Sequence, residues 1–407
     1  MKKDLPHLLP ALIAILIFAG FLLAGNQYAQ YIENRYVSAL APMLVPESLN
    51  GSALQQAAFR QPDLLPVYGS SELILEQYPY IANLFFKTYP TGFAVFEIAQ
   101  RAATSLSMAE ELAALGPKVR GKKVVISFTP NMFNDPEVPL VSYDGNYSQL
   151  HGDALIFNPY LSFNVKQQAA RRMLDYSETI VNDPILKFAV INLSGTSTIQ
   201  HILYYLTLPL GQLQTSIIRL QDHWQVLSII RLTPNLRPKV VKKPDSIQWD
   251  TVIAQAGAEQ AADSTNNPYG IENSSWTRKW KDLMPKRAIP PGSKDAGFIR
   301  YLNASKEWSD LEILLEILKE MGAQPLILSR PIDGPIWDAR GVSQKARQVY
   351  YDRLHNIVVD TYGMRLVDFE NHDGDRYFST DYASHTSRLG WVYVDQTLDA
   401  FFHGNLP

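Results

Sequence analysis

The chain has 407 residues, 37 basic against 40 acidic, and a formal net charge of −3; nucleic-acid binding demands a basic excess that is missing here. It has no cysteine, which excludes disulfides, thiolate metal sites and cysteine nucleophiles, and fits an exported chain that does not rely on oxidative folding. The length suffices for one large or two moderate domains with a sizeable core.

Met1-Lys2-Lys3 precede an uncharged apolar run from Leu8 to Ala24, near the lower length limit for a spanning helix. The two lysines predict a cytoplasmic N-terminus, with everything after Gly25 outside the membrane. The Leu22/Ala24 pair is a poor cleavage site, so residues 1–25 are expected to stay as a single-pass transmembrane anchor. Residues 26–62 read as a stalk. Leu65–Gly69 is a strand that ends in Ser70-Ser71-Glu72; a tight turn there would lift a serine out of the sheet, although the same letters also make an ordinary helix cap. Glu72–Tyr78 is helix-like, Asn83–Phe86 reads as a short strand before a turn at Gly92, and 93–115 reads as a helix with apolar positions at Val95, Ile98, Ala99, Ala102 and Leu106. Lys122–Phe128 is a buried strand leading into Thr129-Pro130-Asn131. This order begins a doubly wound α/β sheet, in which sites gather at the carboxyl ends of the strands. Gly69, Gly92 and Asn131 each follow a candidate strand and are expected to meet at one edge.

Residues 63–162 and 286–407 are thus expected to be two parts of one α/β domain, split by a mostly helical insertion over 163–285. The insertion's most apolar runs, Ile202–Leu206 and Ile217–Leu220, are too short to span a bilayer and are interrupted by charges. Packing on the head is expected of them, with contact to membrane or a membrane partner as the sharper alternative. Pro234 to Asn267 reads as a polar crossover. The wound pattern resumes with a helix over Trp308–Met321, a strand over Pro325–Ser329, a helix over Ser343–Tyr362, a strand over Met364–Phe369, a loop from Asp381 to Gly390 and a closing helix over Trp391–Phe402.

Of the eight histidines, His385 lies in a late loop with Asp381 four residues ahead. An acid placed there holds an imidazole in the tautomer that takes a serine proton. The competing His372-Asp373 pair sits beside Gly374 and Asp375 and reads as an exposed turn. The histidines are scattered and no phosphate loop occurs, so neither a metal nor a nucleotide cofactor is expected.

Tyr68-Gly69-Ser70-Ser71-Glu72-Leu73, Lys122–Phe133, Asn267-Pro268-Tyr269-Gly270-Ile271, the run from Arg330 to Trp337, and His385 followed by Gly390-Trp391-Val392-Tyr393 resemble, in order and approximate spacing, the DltD family, a relative of the SGNH (GDSL-type) hydrolases. The resemblance implies an SGNH-hydrolase-like, flavodoxin-like parallel sheet flanked by helices. It makes Ser71 the nucleophile, with Ser70 as fallback, and His385 the general base. Asp381 becomes its orienter, although the family spacing puts the acid where Tyr382 stands. Gly92 is implied as an oxyanion donor, with Asn131 near the third family block. The implied activity is that of an extracytoplasmic serine acyltransferase or esterase of cell-envelope D-alanylation. D-Alanine would pass through a Ser71 ester to teichoic acid or a related polyol. The implied partners are a membrane-bound O-acyltransferase, other D-alanylation proteins and the lipid bilayer. Two alternatives stand beside this: a non-catalytic accessory or scaffold protein of the same complex, and an SGNH O-acetyltransferase or deacylase of another envelope glycan.

Overall fold

The computed structural model describes residues 8–43, 51–74, 79–237, 246–287, 289–381 and 385–406. Among the described residues, five short strands, β1 (Leu64–Gly69), β2 (Ala94–Ala99), β3 (Lys123–Phe128), β4 (Gln324–Ser329) and β5 (Arg365–Val367), build one sheet in the order β2-β1-β3-β4-β5. Every neighbouring pair is parallel. Parallel strands are joined by helical crossovers that cover both faces, which is why β3 and β4 are almost unbroken apolar runs. Alternate residues serve opposite faces. Tyr68, Phe96, Ile126 and Ile327 point into one core layer, while Leu65, Val95, Val125 and Leu328 point into the other.

The helices, in chain order, are α1 (Leu8–Leu40), α2 (Ala53–Arg60), α3 (Ala82–Thr88), α4 (Ser105–Leu115), α5 (Leu140–Asn146), α6 (Gln149–Ile156), α7 (Phe163–Leu174), α8 (Pro184–Ser194), α9 (Thr198–Leu232) and α10 (Trp249–Ala262). After them come α11 (Asp295–Ala304), α12 (Glu307–Glu320), α13 (Gly334–Ala339), α14 (Gln344–His355) and α15 (Arg388–His403). The first core layer carries α4 and α12, through Met108, Leu112, Leu311 and Leu315. The second carries α3 and α15, through Phe85, Phe86, Trp391 and Leu398.

Two elements differ from expectation at one place. Asn83–Phe86 is part of helix α3, and the segment read as one helix over 93–115 is β2 followed by α4. The strand Ala94-Val95-Phe96-Glu97-Ile98-Ala99 is β-branched and aromatic in the manner of a buried strand. The true helix starts at a capping box: Thr104 accepts from the Ser107 N–H, and the Ser107 side chain accepts from the Thr104 N–H. Apolar residues belonging to two elements had mimicked one helical period.

The segment read as a stalk is packed into the head. α1 continues without a break past its apolar run, and Ala29, Glu33, Val37 and Leu40 on one stripe are fully buried. Seven of the eight residues of α2 are buried as well. The earlier part of α1 exposes Leu12, Ile13, Leu16 and Ile17 and is long and apolar enough to cross a membrane; it fits a single-pass anchor. The helical connection between β3 and β4 begins at Leu140, ahead of the expected boundary at 163, and the expected polar crossover contains α10. Residues 238–245 of that crossover lie outside the described residues.

Candidate active site

β1 stops at Gly69 because the chain turns back on itself there. A Cβ at this position would lie 2.5 Å from Glu72 Oε1 and 2.6 Å from Leu73 Cδ1, so only glycine admits the turn without displacing a neighbour. Glu72 is wholly buried, and its Oε1 accepts the Ser70 N–H at 2.9 Å. One 3₁₀ turn, Ser71–Leu73, completes the corner, with the Leu73 N–H donating to Ser70 O and the Ile74 N–H to Ser71 O. Ser71 is left half-buried at the carboxyl edge of the sheet.

His385 meets it there. Asp381 Oδ2 accepts from His385 Nδ1 at 2.7 Å, and Asp381 Oδ1 accepts the backbone N–H of His385 at 3.3 Å. An ionised carboxylate only accepts, so Nδ1 carries the ring proton and Nε2 offers its lone pair. The Ser71 hydroxyl lies 2.9 Å from that Nε2. Both ends of the loop are pinned: Ser379 bridges Thr386, the Thr380 N–H donates to His385 O at 2.8 Å, and the Ser387 N–H donates to Phe378 O at 3.0 Å. A four-residue offset between acid and histidine therefore reaches Nδ1 as a loop closed at its base. Residues 382–384 lie outside the described residues.

Ser71 and His385 open on a cleft of about 300 Å³ whose walls include Ser70, Ala102, Thr129, Asn131 and Met132, with Asp381 buried behind the imidazole. Ser70 shares the cleft, but Ser71 is the serine bonded to the imidazole. Asn131 sits in the 3₁₀ turn Pro130–Phe133 directly after β3. Gly92 is a correction. It precedes β2, so in a parallel sheet it lies at the amino edge, opposite Ser71; β1 and β2 pair with Leu64 against Ala94 and Gly69 against Ala99. Its φ of 104° belongs to the turn entering the strand. The residues that follow β2 and border the cleft are Ala102, Ala103 and Thr104, with Ala102 held at φ 58°. Sequence reasoning missed Ala102 because the left-handed conformation, normally a glycine's, is carried here by alanine.

Beneath the histidine loop lies a charged network that the sequence did not announce. Arg330, fully buried after β4, donates through Nε to Thr386 Oγ1 at 2.7 Å and lies 5.3 Å from the Trp391 ring centroid. Burial pushes the nearby Glu97 carboxyl up to about 8, and Arg330 opposes the shift. Burial likewise holds Asp395 well above the usual carboxylate range, with the Glu97 charge adding to it. Asp333 is raised by burial first, and the charges of Asp381 and Asp373 act in the same direction. It accepts the Ile336 N–H at 3.2 Å and so caps α13. Asp373, expected in an exposed turn, is buried and paired with Arg347, its Oδ1 2.6 Å from Nη2. His372 contacts Asp375 at 3.4 Å, away from the serine.

The tail of the helical insertion props the same loop. Arg376 donates to Asn267 O at 2.7 Å, and Arg388 pairs with Glu272 at 2.7 Å. Gly270, at φ 81°, passes so close to the backbone at Arg376 that a side chain would collide with Arg376 O.

The model of the family described as DltD protein matches residues 41–403. Protein DltD of Bacillus subtilis (strain 168) is 28% identical over 399 residues, covering 97% of this chain and 96% of that protein. Protein DltD of Staphylococcus aureus (strain NCTC 8325 / PS 47) is 26% identical over 397 residues, with 97% and 96% covered. Protein DltD of Lacticaseibacillus rhamnosus is 23% identical over 410 residues, with 98% and 93% covered.

Proposed function

The chain belongs to the DltD family, and on that premise we propose that it is a membrane-anchored serine acyltransferase or esterase of teichoic-acid D-alanylation. The observation that carries the reading is the relay from Ser71 Oγ to His385 Nε2 to Asp381, at 2.9 Å and 2.7 Å, on the rim of an open cleft. In this reading Ser71 Oγ attacks the carbonyl carbon of an activated D-alanyl ester or thioester while Nε2 takes the hydroxyl proton. Asp381 stabilises the imidazolium that results. The carbonyl π electrons move to oxygen, and the side of the cleft built by Ala102 and Asn131 is the place from which that oxyanion is held. Collapse expels the leaving group, which takes the proton from Nε2. An acceptor hydroxyl then gives its proton to Nε2, attacks the Ser71 ester and leaves as the D-alanyl ester, restoring the serine. Lys2 and Lys3 ahead of the apolar run support a reading with the N-terminus in the cytoplasm and the catalytic head outside. A membrane-bound O-acyltransferase supplies the acyl group, and teichoic acid or a related polyol accepts it.

The test is active-site labelling of the full-length protein with a serine-directed fluorophosphonate. Label on Ser71 that is lost in Ser71→Ala and His385→Ala but kept in Ser70→Ala is the expected result. An unlabelled parent protein that still assembles with its membrane partner would overturn the enzyme in favour of a scaffold. Mass spectrometry of the acyl adduct trapped on Ser71 separates D-alanyl from acetyl transfer.

A further inference from the structure

α9 carries an apolar stripe that nothing in the described head covers. Ile199, Ile202, Leu206, Leu210, Leu213 and Ile217 recur at intervals of three and four, so they share one helix face, and all six are exposed, Leu206 by 71%. The opposite face is seated on the head. Tyr204 and Gly211 are buried, the Tyr204 hydroxyl donates to Ile156 O at 2.9 Å, and Gly211 abuts the Phe157 ring so closely that a Cβ would overlap it. Phe188 and Ile191 on the adjoining α8 are also exposed. The expected charge interrupts the second run, at Arg219, but the first has none: residues 188–218 contain no Asp, Glu, Lys or Arg. A water-facing helix surface of this length ordinarily carries several. Pro209 lies inside α9, as prolines do more often in membrane helices than in soluble ones.

The stripe is continuous with the apolar part of α1 that fits a membrane anchor. α9 packs on α1 at the point where α1 leaves its apolar run. The Trp224 ring lies 3.0 Å from where a Cβ on Gly25 would be, and Glu33 accepts from His223 Nδ1 at 2.6 Å. Asn26 and Gln30 of α1 share a cavity of about 710 Å³ with Lys118 and Arg219. Charge thus reappears on α9, at Arg219, beside the first polar residues of α1. Trp224 and Tyr205, both partly exposed, are the aromatic types that settle at the water–lipid boundary.

We propose that α9, with the adjoining face of α8, lies in the lipid interface with its apolar stripe immersed among the acyl chains, giving the head a second, monotopic contact with the bilayer beside its anchor. Arg219 and Lys118 then sit at the depth of the lipid phosphates. The proposal depends on α1 being a membrane anchor and not on the serine chemistry. The head would accordingly be held at a set angle to the membrane rather than swing on a tether.

The chain has no native cysteine, so single cysteines can be placed and spin-labelled without background. Ile202→Cys, Leu206→Cys and Leu213→Cys alter exposed side chains and leave the core alone; Val141→Cys, exposed by 77% on α5, is the reference. Each full-length variant is reconstituted in vesicles of phosphatidylcholine and phosphatidylglycerol, and collisions of the nitroxide with molecular oxygen and with a water-soluble nickel chelate are measured. The expected result is high oxygen access and several-fold lower nickel access at the three α9 sites than at Val141. Nickel access equal to that at Val141 overturns the proposal. Shielding from both reagents also overturns it, since that is the mark of a covering protein surface, a second copy included.

Discussion

Asp381 touches no reacting atom; it acts by fixing which nitrogen of His385 is bare. In Asp381→Asn the amide can present an N–H to Nδ1, the ring proton shifts to Nε2, and the Ser71 proton has nowhere to go. The expected outcome is a loss of about 10⁴-fold in turnover at neutral pH with little change in KM, read by labelling and transfer rates. A variant with unchanged rates would remove Asp381 from the relay. Glu97 makes a different prediction. Its carboxyl is raised from 4.5 to about 8, so between those values the folded chain keeps a proton that the unfolded chain has released. Stability from this group is full below pH 4.5 and falls as pH climbs toward 8. Glu97→Gln is therefore expected to gain on the parent steadily from pH 5 to pH 8 in thermal melts; parallel melting curves across that range would contradict the assignment. Ser71, His385 and Asp381 were legible as letters because glycine, paired hydroxyls and an acid near a histidine leave a local mark. Arg330 and Glu97 left none, since an arginine or glutamate in a list gives no sign that it will be buried.

The turns that end the parallel strands do the positioning at the next scale. Gly69 was readable because its turn needs the absence of a Cβ. Ala102 was not, because its left-handed backbone is enforced by the surrounding crossover rather than announced by a glycine. That conformation costs an L-residue about 1–2 kcal/mol. Ala102→Gly is expected to raise the melting temperature and keep fluorophosphonate labelling, while Ala102→Val, branched at Cβ, lowers both. A lower melting temperature for the glycine variant would show that the φ of 58° stores no strain. The reading of 93–115 as one helix fails for a different reason. Helical periodicity was counted across a strand and a helix, which moved Gly92 from the front of a strand to the back and so to the wrong edge of the sheet.

For the whole molecule, the notable arrangement is that the membrane anchor and the core share one helix. Glu33 is the joint: it is fully buried, bonded to His223 of α9 and 3.8 Å from Arg60 of α2. Glu33→Ala leaves His223 Nδ1 without its acceptor and removes the charge facing Arg60, and an unmet buried donor costs about 1–3 kcal/mol. The expected result is a lower denaturant midpoint for the full-length protein with Ser71 labelling intact under native conditions. An unchanged midpoint would mean that α1 is only loosely held. The part of α1 past Gly25 reads as a stalk in sequence because one buried stripe at 29, 33, 37 and 40 is diluted by polar residues on the other faces.

By itself the sequence determined the class of fold, the anchor, and the serine and histidine on which the chemistry is proposed to rest. Those signals are local: hydrophobic runs, a glycine corner, a loop histidine with an acid within reach. Only the tertiary structure decided which strand end each turn occupies, that Asp381 reaches Nδ1 in spite of its longer spacing, and that α9 turns an uncharged face outward. Such properties depend on which residues distant in the chain are brought together, and packing across the sheet, not the order of letters, sets that.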